Sequence, residues 1–103
     1  MKKTAICLAL GLALAPTAGS AQVLLETTKI TCGDYVAMPA PDQDMVGAWF
    51  SGWFNQKLGM THVDLDAFHQ NQANILKYCA KMPKDQLFGV IQAAVDQAAK
   101  KKQ

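Results

Sequence analysis

The chain has 103 residues, half of them hydrophobic, with ten Lys and Arg against eight Asp and Glu and a formal net charge of +2. That length allows one small domain, and a near-balanced chain that contains no Arg argues against a nucleic-acid binder, which needs a basic face and Arg forks. No two Cys are closely spaced, and His62 and His69 stand seven apart with no further Cys beside them, so no metal-ligand set emerges.

The first segment reads as an export signal. Met1-Lys2-Lys3 is a basic start, Ala5 to Ala15 is an uncharged apolar run, Pro16 breaks it, and Thr17 to Ala21 offers small residues to a peptidase. The run is too short to span a bilayer, which takes about 20 apolar residues. Cys7 lies at the start of the run and follows the bulky Ile6, so it belongs to the signal and is not a lipid-anchor cysteine. Cleavage is expected after Ala21, leaving residues 22–103 as a single helical domain with frayed ends and no stable membrane anchor.

A domain of 82 residues is marginal on its own and needs a staple or a partner. Without Cys7, two cysteines remain, Cys32 and Cys79. An even pair in an exported chain reads as one disulfide. A loop this long is worth about 4 kcal/mol in the chain-entropy picture, comparable to the whole net stability of a small domain. Loss of Lys2 and Lys3 leaves eight Lys against eight acids, neutral near pH 7. In strong acid the carboxylates discharge, and eight Lys, two His and the amino terminus give roughly +11.

Four helices are expected in chain order, after a frayed arm from Gln22 to Lys29. Thr31 and Asp34 form a capping-box pattern that opens a short helix to about Ala37. Met38-Pro39-Ala40-Pro41 ends it. Asp42 or Asp44 is expected to cap a second helix that runs to about Leu58 and stops at Gly59. Asp64 or Asp66 starts a third, to about Lys81, with Leu65 or Phe68, Ile75, Leu76 and Cys79 on its apolar side and the polar Gln72 interrupting them. After Met82-Pro83 a fourth begins near Asp85. Its apolar series is Leu87, Phe88, Ile91, Ala94, Val95 and Ala98, and Lys100 to Lys102 suit its C-terminal dipole. No stretch alternates as a strand. The expected fold is all-α, a small four-helix orthogonal bundle closed by one disulfide.

The second helix holds half of the chain's eight aromatic residues. At about 100° per residue, Trp49 and Trp53 form one stripe and Phe50 and Phe54 another about 100° round, with Val46 inside the arc and Met45 extending it. The arc is only modestly wider than a globular helix needs. Either all four aromatics are core, or one stripe faces the bundle and the other faces a second copy or a client. Gly47 and Gly52 each weaken this helix by about 1 kcal/mol relative to Ala. No Ser-His-Asp set, glycine-rich phosphate loop or haem-attachment motif is present. The chain therefore reads as a non-enzyme with no cofactor and no metal. Asp64 and Asp66 read as helix caps, and His62 and His69 either as sensors of mild acid or, as is commoner on a polar helix face, as solvated residues.

Thr31-Cys32-Gly33-Asp34-Tyr35 resembles the first cysteine motif of the HdeA/HdeB family of periplasmic acid-stress chaperones, and Tyr78-Cys79-Ala80-Lys81-Met82-Pro83 resembles the second. The Trp-bearing helix between them is closer to the HdeB side. The resemblance runs from about Ile30 to Val95. It departs at Met82, where the family pattern has Asn or Asp, and in the Ala- and Lys-rich tail.

The resemblance implies a periplasmic, disulfide-closed helical bundle that is a homodimer near neutral pH. In acid such a chaperone exposes apolar surface and holds acid-denatured periplasmic proteins without ATP. The bridge maps to Cys32 and Cys79. The client and dimer surface maps to Met45, Val46, Trp49, Phe50, Trp53 and Phe54. The competing expectation is an interaction module or inhibitor whose aromatic face binds one fixed periplasmic partner at neutral pH.

Overall fold

The computed structural model describes residues 23–101, so the expected export signal lies outside the described residues. Four helices form: α1, Cys32–Ala37; α2, Ala40–Lys57; α3, Leu65–Lys81; and α4, Leu87–Lys101. No strand forms among the described residues. The fold is the expected all-α, four-helix, disulfide-closed one.

The helix ends follow local chemistry. Thr31 and Asp34 make a reciprocal capping box. The Thr31 hydroxyl accepts from the Asp34 N–H, and the Asp34 carboxylate accepts from the Thr31 N–H, both at 3.1 Å. Asp64 caps α3 by accepting from the Ala67 N–H at 3.0 Å. At the end of α2, Gly59 has φ 70°, which only glycine adopts without strain. There the Met60 N–H reaches the Asn55 carbonyl and the Gly59 N–H that of Gln56, a Schellman close.

Two expectations are corrected. The cap of α2 is Pro39, not Asp42 or Asp44, and Pro41 sits inside the first turn. The first turn of a helix has no use for its N–H groups, so proline costs nothing there. On α4, Ala94 and Ala98 are exposed; Phe88, Val90, Ile91 and Val95 are the half-buried positions after the fully buried Leu87.

The core consists of Ile30, Cys32, Tyr35, Val46, Phe50, Phe54, Cys79 and Leu87. Cys32 and Cys79 are joined, with their Cα atoms 4.6 Å apart and no solvent exposure. The expected frayed arm is ordered towards its end. Thr27–Lys29 makes a 3-10 turn against α4. Ile30 is buried, and its carbonyl accepts from the Leu87 N–H at 2.9 Å, while the Cys32 N–H donates to the Asp85 carbonyl at 2.8 Å. An isolated antiparallel bridge, Thr31 with Gln86, lies between these bonds.

Candidate functional site

The two aromatic stripes of α2 separate cleanly. Phe50 and Phe54 are 1% and 5% exposed, and Val46, one turn before Phe50, is 7% exposed. These three pack into the core. Phe88 of α4 meets both phenylalanines, with ring centroids 6.0 Å from Phe50 and 5.5 Å from Phe54. Trp49 and Trp53 lie on the outward stripe at 44% and 42% exposure, and Met45 extends it at 72%. The stacking is one turn apart: the Trp rings are 5.4 Å apart and nearly parallel at 16°. Lys57, a further turn on, places its ammonium 5.1 Å from the Trp53 ring centroid, a cation–π contact.

Of the six aromatic-helix residues singled out by sequence, three thus form an exposed apolar strip on the folded chain and three lie in the core, two of them against Phe88 of α4. The Trp49 ring stands edge-on to Phe50, centroids 5.1 Å apart, so the outward and inward stripes touch. An exposed strip of Met and Trp is the composition of an interface core rather than of a solvated face.

A polar knot fixes how α2 leaves α1. Tyr35, only 2% exposed, donates its hydroxyl to the Gln43 carbonyl at 3.2 Å. The Gln43 side chain returns a bond to the Tyr35 carbonyl at 3.1 Å. Gln72 of α3, which looked like an interruption of an apolar face, donates to Asp44 at 3.0 Å and to the Tyr35 hydroxyl at 3.4 Å. It is the side-chain link from α3 to α2. Its sequence signal was a lone amide at a core-facing register. Burial pushes the Tyr35 phenol above its ordinary range; the Gln72 bond opposes this and the Asp44 charge adds to it.

Several carboxylates meet hydrogen-bond donors. Asp34 accepts from Thr31, Asp44 from Gln72, Asp64 from the start of α3, and Asp85 from the Tyr78 hydroxyl at 2.6 Å. The Thr31 N–H bond, reinforced by the Thr31 hydroxyl, holds Asp34 below the usual carboxylate range. The Asp85 hydrogen bond raises the Tyr78 phenol, with desolvation and the Asp85 charge acting in the same direction. These acceptor roles were not read from the sequence beyond the caps at Asp34 and Asp64. Among the described residues no cluster of three or more His, Cys, Asp and Glu could hold a metal ion, and no helix is long and apolar enough to cross a membrane.

Residues 2–89 match the model of the HdeA/HdeB family. The chain belongs to the HdeA/HdeB family. That family is known for periplasmic acid-stress chaperones and is not enzymatic. No curated protein and no solved structure matches the chain. The match spans both cysteine motifs and all of α2 and α3, and ends three residues into α4.

Proposed function

We propose that this chain is an exported, ATP-independent chaperone that acid activates. Near neutral pH it is a homodimer joined through the outward strip of α2. In acid it opens and holds unfolded periplasmic proteins on aromatic surface. The observation that carries the reading is the division of α2: one helix presents Met45, Trp49 and Trp53 to the outside and keeps Phe50 and Phe54 in reserve on its inner side.

The outward strip suits a second copy. Its centre is Trp49, with Met45 and Trp53 one turn to either side. Asp42 lies in the first turn of α2 and Lys57 in the last. Two such helices packed antiparallel about a two-fold axis at Trp49 bring Met45 against the partner's Trp53 and the acidic end against the basic end. An isologous contact of this kind is the commonest way a small chain dimerises.

Acid acts on the carboxylates that accept hydrogen bonds. A charged acceptor makes a bond about twice as strong as a neutral one. Protonation therefore weakens the cap of α1 at Asp34, the cap of α3 at Asp64, the α2–α3 link at Asp44 and the Tyr78 contact at Asp85. For Asp34 the folded-state value is depressed, so its contribution is present above the ordinary carboxylate value and is lost as pH falls through the folded one. The Lys residues keep their charge and repel one another. The Cys32–Cys79 bridge limits how far the opened chain spreads, and the positive charge keeps a chaperone–client complex soluble.

The test is oligomeric state and apolar-dye binding of the oxidised mature chain at pH 7 and pH 3. A dimer with little dye binding that becomes a dye-binding monomer supports the reading. The same state and the same dye signal at both pH values end it. The Trp pair is already exposed in the folded chain, which also suits one fixed partner at neutral pH. A pull-down from periplasmic extract separates the two: one stoichiometric partner at pH 7, or many partners only in acid.

A further inference from the structure

Helix α4 lies outside the ring that the disulfide closes. The ring runs from Cys32 to Cys79 and contains α1, α2 and all but the last two residues of α3. A cross-link restricts the unfolded states of the chain within its ring and leaves the chain beyond it free. Residues after Cys79 thus gain more entropy on release than residues within the ring.

The same helix covers the reserved aromatics. Phe88 is the aromatic that meets both Phe50 and Phe54. The hold on α4 is concentrated at its first turns. Leu87 is fully buried, Phe88, Val90, Ile91 and Val95 are half-buried, and residues 96–101 are exposed. The segment just before it, Met82 to Gln86, is pinned to residues 30–33 by two backbone bonds, Cys32 N–H to Asp85 and Gly33 N–H to Pro83, and the first residue of α4 by a third, Leu87 N–H to Ile30. One side-chain bond joins this segment to α3, Tyr78 to Asp85. A shallow groove lined by Tyr78, Asp85, Gln86, Gly89, Val90 and Ala93 marks the seam between α3 and α4.

We infer that α4 is a lid over the Phe50–Phe54 stripe, hinged at Met82–Gln86, that swings away while the disulfide holds α1 to α3. On the chaperone reading, on which its use in client binding rests, lid opening joins Phe50, Phe54 and Phe88 to the outward Trp49–Trp53 strip as one aromatic surface. The titratable side chains on and around the lid are few. The lid carries Asp96, Lys100 and Lys101; the hinge carries Lys84 and Asp85. Of the elements packed on the lid, the 3-10 turn and its cap carry Glu26 and Lys29, and α2 carries Asp42, Asp44 and Lys57. On α3 they are Asp66, His69, Lys77, Tyr78 and Lys81. With the carboxylates discharged, the only charges left among them are positive, so acid favours opening.

Hydrogen exchange of the oxidised mature chain, followed by mass spectrometry from pH 7 to pH 2.5 and corrected for intrinsic rates, tests the lid directly. Peptides from 87–101 are expected to lose protection at a higher pH than peptides from 32–37 and 65–81. In that interval their exchange should be at least about tenfold faster, as expected for a separate opening unit. Loss of protection in all four helices together, or in α4 last, overturns the lid. Client aggregation measured in the same buffers separates the two ideas. A lid that opens while clients still aggregate leaves the hinge standing and removes the chaperone reading. Clients held while α4 stays protected do the reverse. Phe88→Ala adds a second readout at pH 7. If helix content is retained, dye binding should rise several-fold towards the acid value; dye binding unchanged from the parent contradicts the lid.

Discussion

Replacing one residue from each stripe of α2 should give very different costs. Phe50→Ala removes a ring that is 1% exposed and in contact with Phe88 and Trp49. Such truncations cost about 3–5 kcal/mol, because the lost transfer energy is joined by that of the cavity left behind. Trp53→Ala removes a ring that is 42% exposed. It forfeits the transfer energy of only the covered part of the ring, with no closed cavity left behind, together with one stacked partner, worth about 0.5–1.5 kcal/mol, and one exposed cation–π contact, about 0.5–1 kcal/mol. Ala returns a few tenths as the better helix former. The cost is therefore smaller than at Phe50. Urea denaturation followed by circular dichroism reads both, at pH 7, oxidised, at one protein concentration at which parent and variants share an oligomeric state. With a urea slope of about 1 kcal/mol per molar, Phe50→Ala should move the midpoint down by about 3–5 M. That unfolds a domain of this size in plain buffer. Trp53→Ala should move it by clearly less. Equal costs, or a larger cost at Trp53, would refute the division into an inward and an outward stripe.

Gly52 and Gly47 offer a second contrast within the same helix. A Cβ at Gly52 meets nothing within 4 Å, whereas one at Gly47 would stand 3.3 Å from the Tyr35 hydroxyl and 3.4 Å from the Gln72 amide. Gly52→Ala should add about 1 kcal/mol and raise Tm by about 4–8 °C, with the variants again compared in one oligomeric state. Gly47→Ala should gain less or lose stability, and a larger gain there contradicts the tight knot. Reduction of Cys32–Cys79 should cost about 4 kcal/mol, so the reduced chain should be largely unfolded at 37 °C by circular dichroism. A reduced chain as stable as the oxidised one would remove the bridge from the account. Asp34→Asn should lower the urea midpoint above about pH 4 and converge with the parent as pH falls further, because the depressed Asp34 contributes only while ionised. A constant gap across that range would assign the cap's value to something other than charge.

Much of the fold was legible because its boundaries are written locally. The capping box at Thr31, the stop at Gly59 and the cap at Asp64 each act within one turn of chain, so short patterns reveal them. The pairing of Cys32 with Cys79 followed from cysteine parity and an exported chain. Proline was harder to read. Pro39 and Pro41 signal a break whether they end one helix or begin the next, and the structure uses them for both. Asp44, freed from capping, instead accepts from Gln72.

The geometry of the site was half legible. Periodicity places the two stripes about 100° apart but says nothing about which one faces inward. That choice depends on Phe88, more than thirty residues away in sequence, coming to rest against Phe50 and Phe54. The bonds between Ile30–Gly33 and Pro83–Leu87 were hidden for the same reason. They join segments brought together by the fold, without the alternation that marks a strand. Ala94 and Ala98 fit the helical period yet stay exposed, because an apolar period marks a face but not how far along the helix a partner extends.

The central claim is acid-dependent protection of other proteins. It is tested most directly by light scattering from an aggregation-prone client brought to a series of pH values between 2 and 5, with and without the oxidised mature chain. The account predicts that scattering is suppressed below a threshold pH and that clients are released soluble on neutralisation. Scattering that is the same with and without the chain at every pH would contradict it, and the Met45–Trp49–Trp53 strip would then belong to a fixed partner.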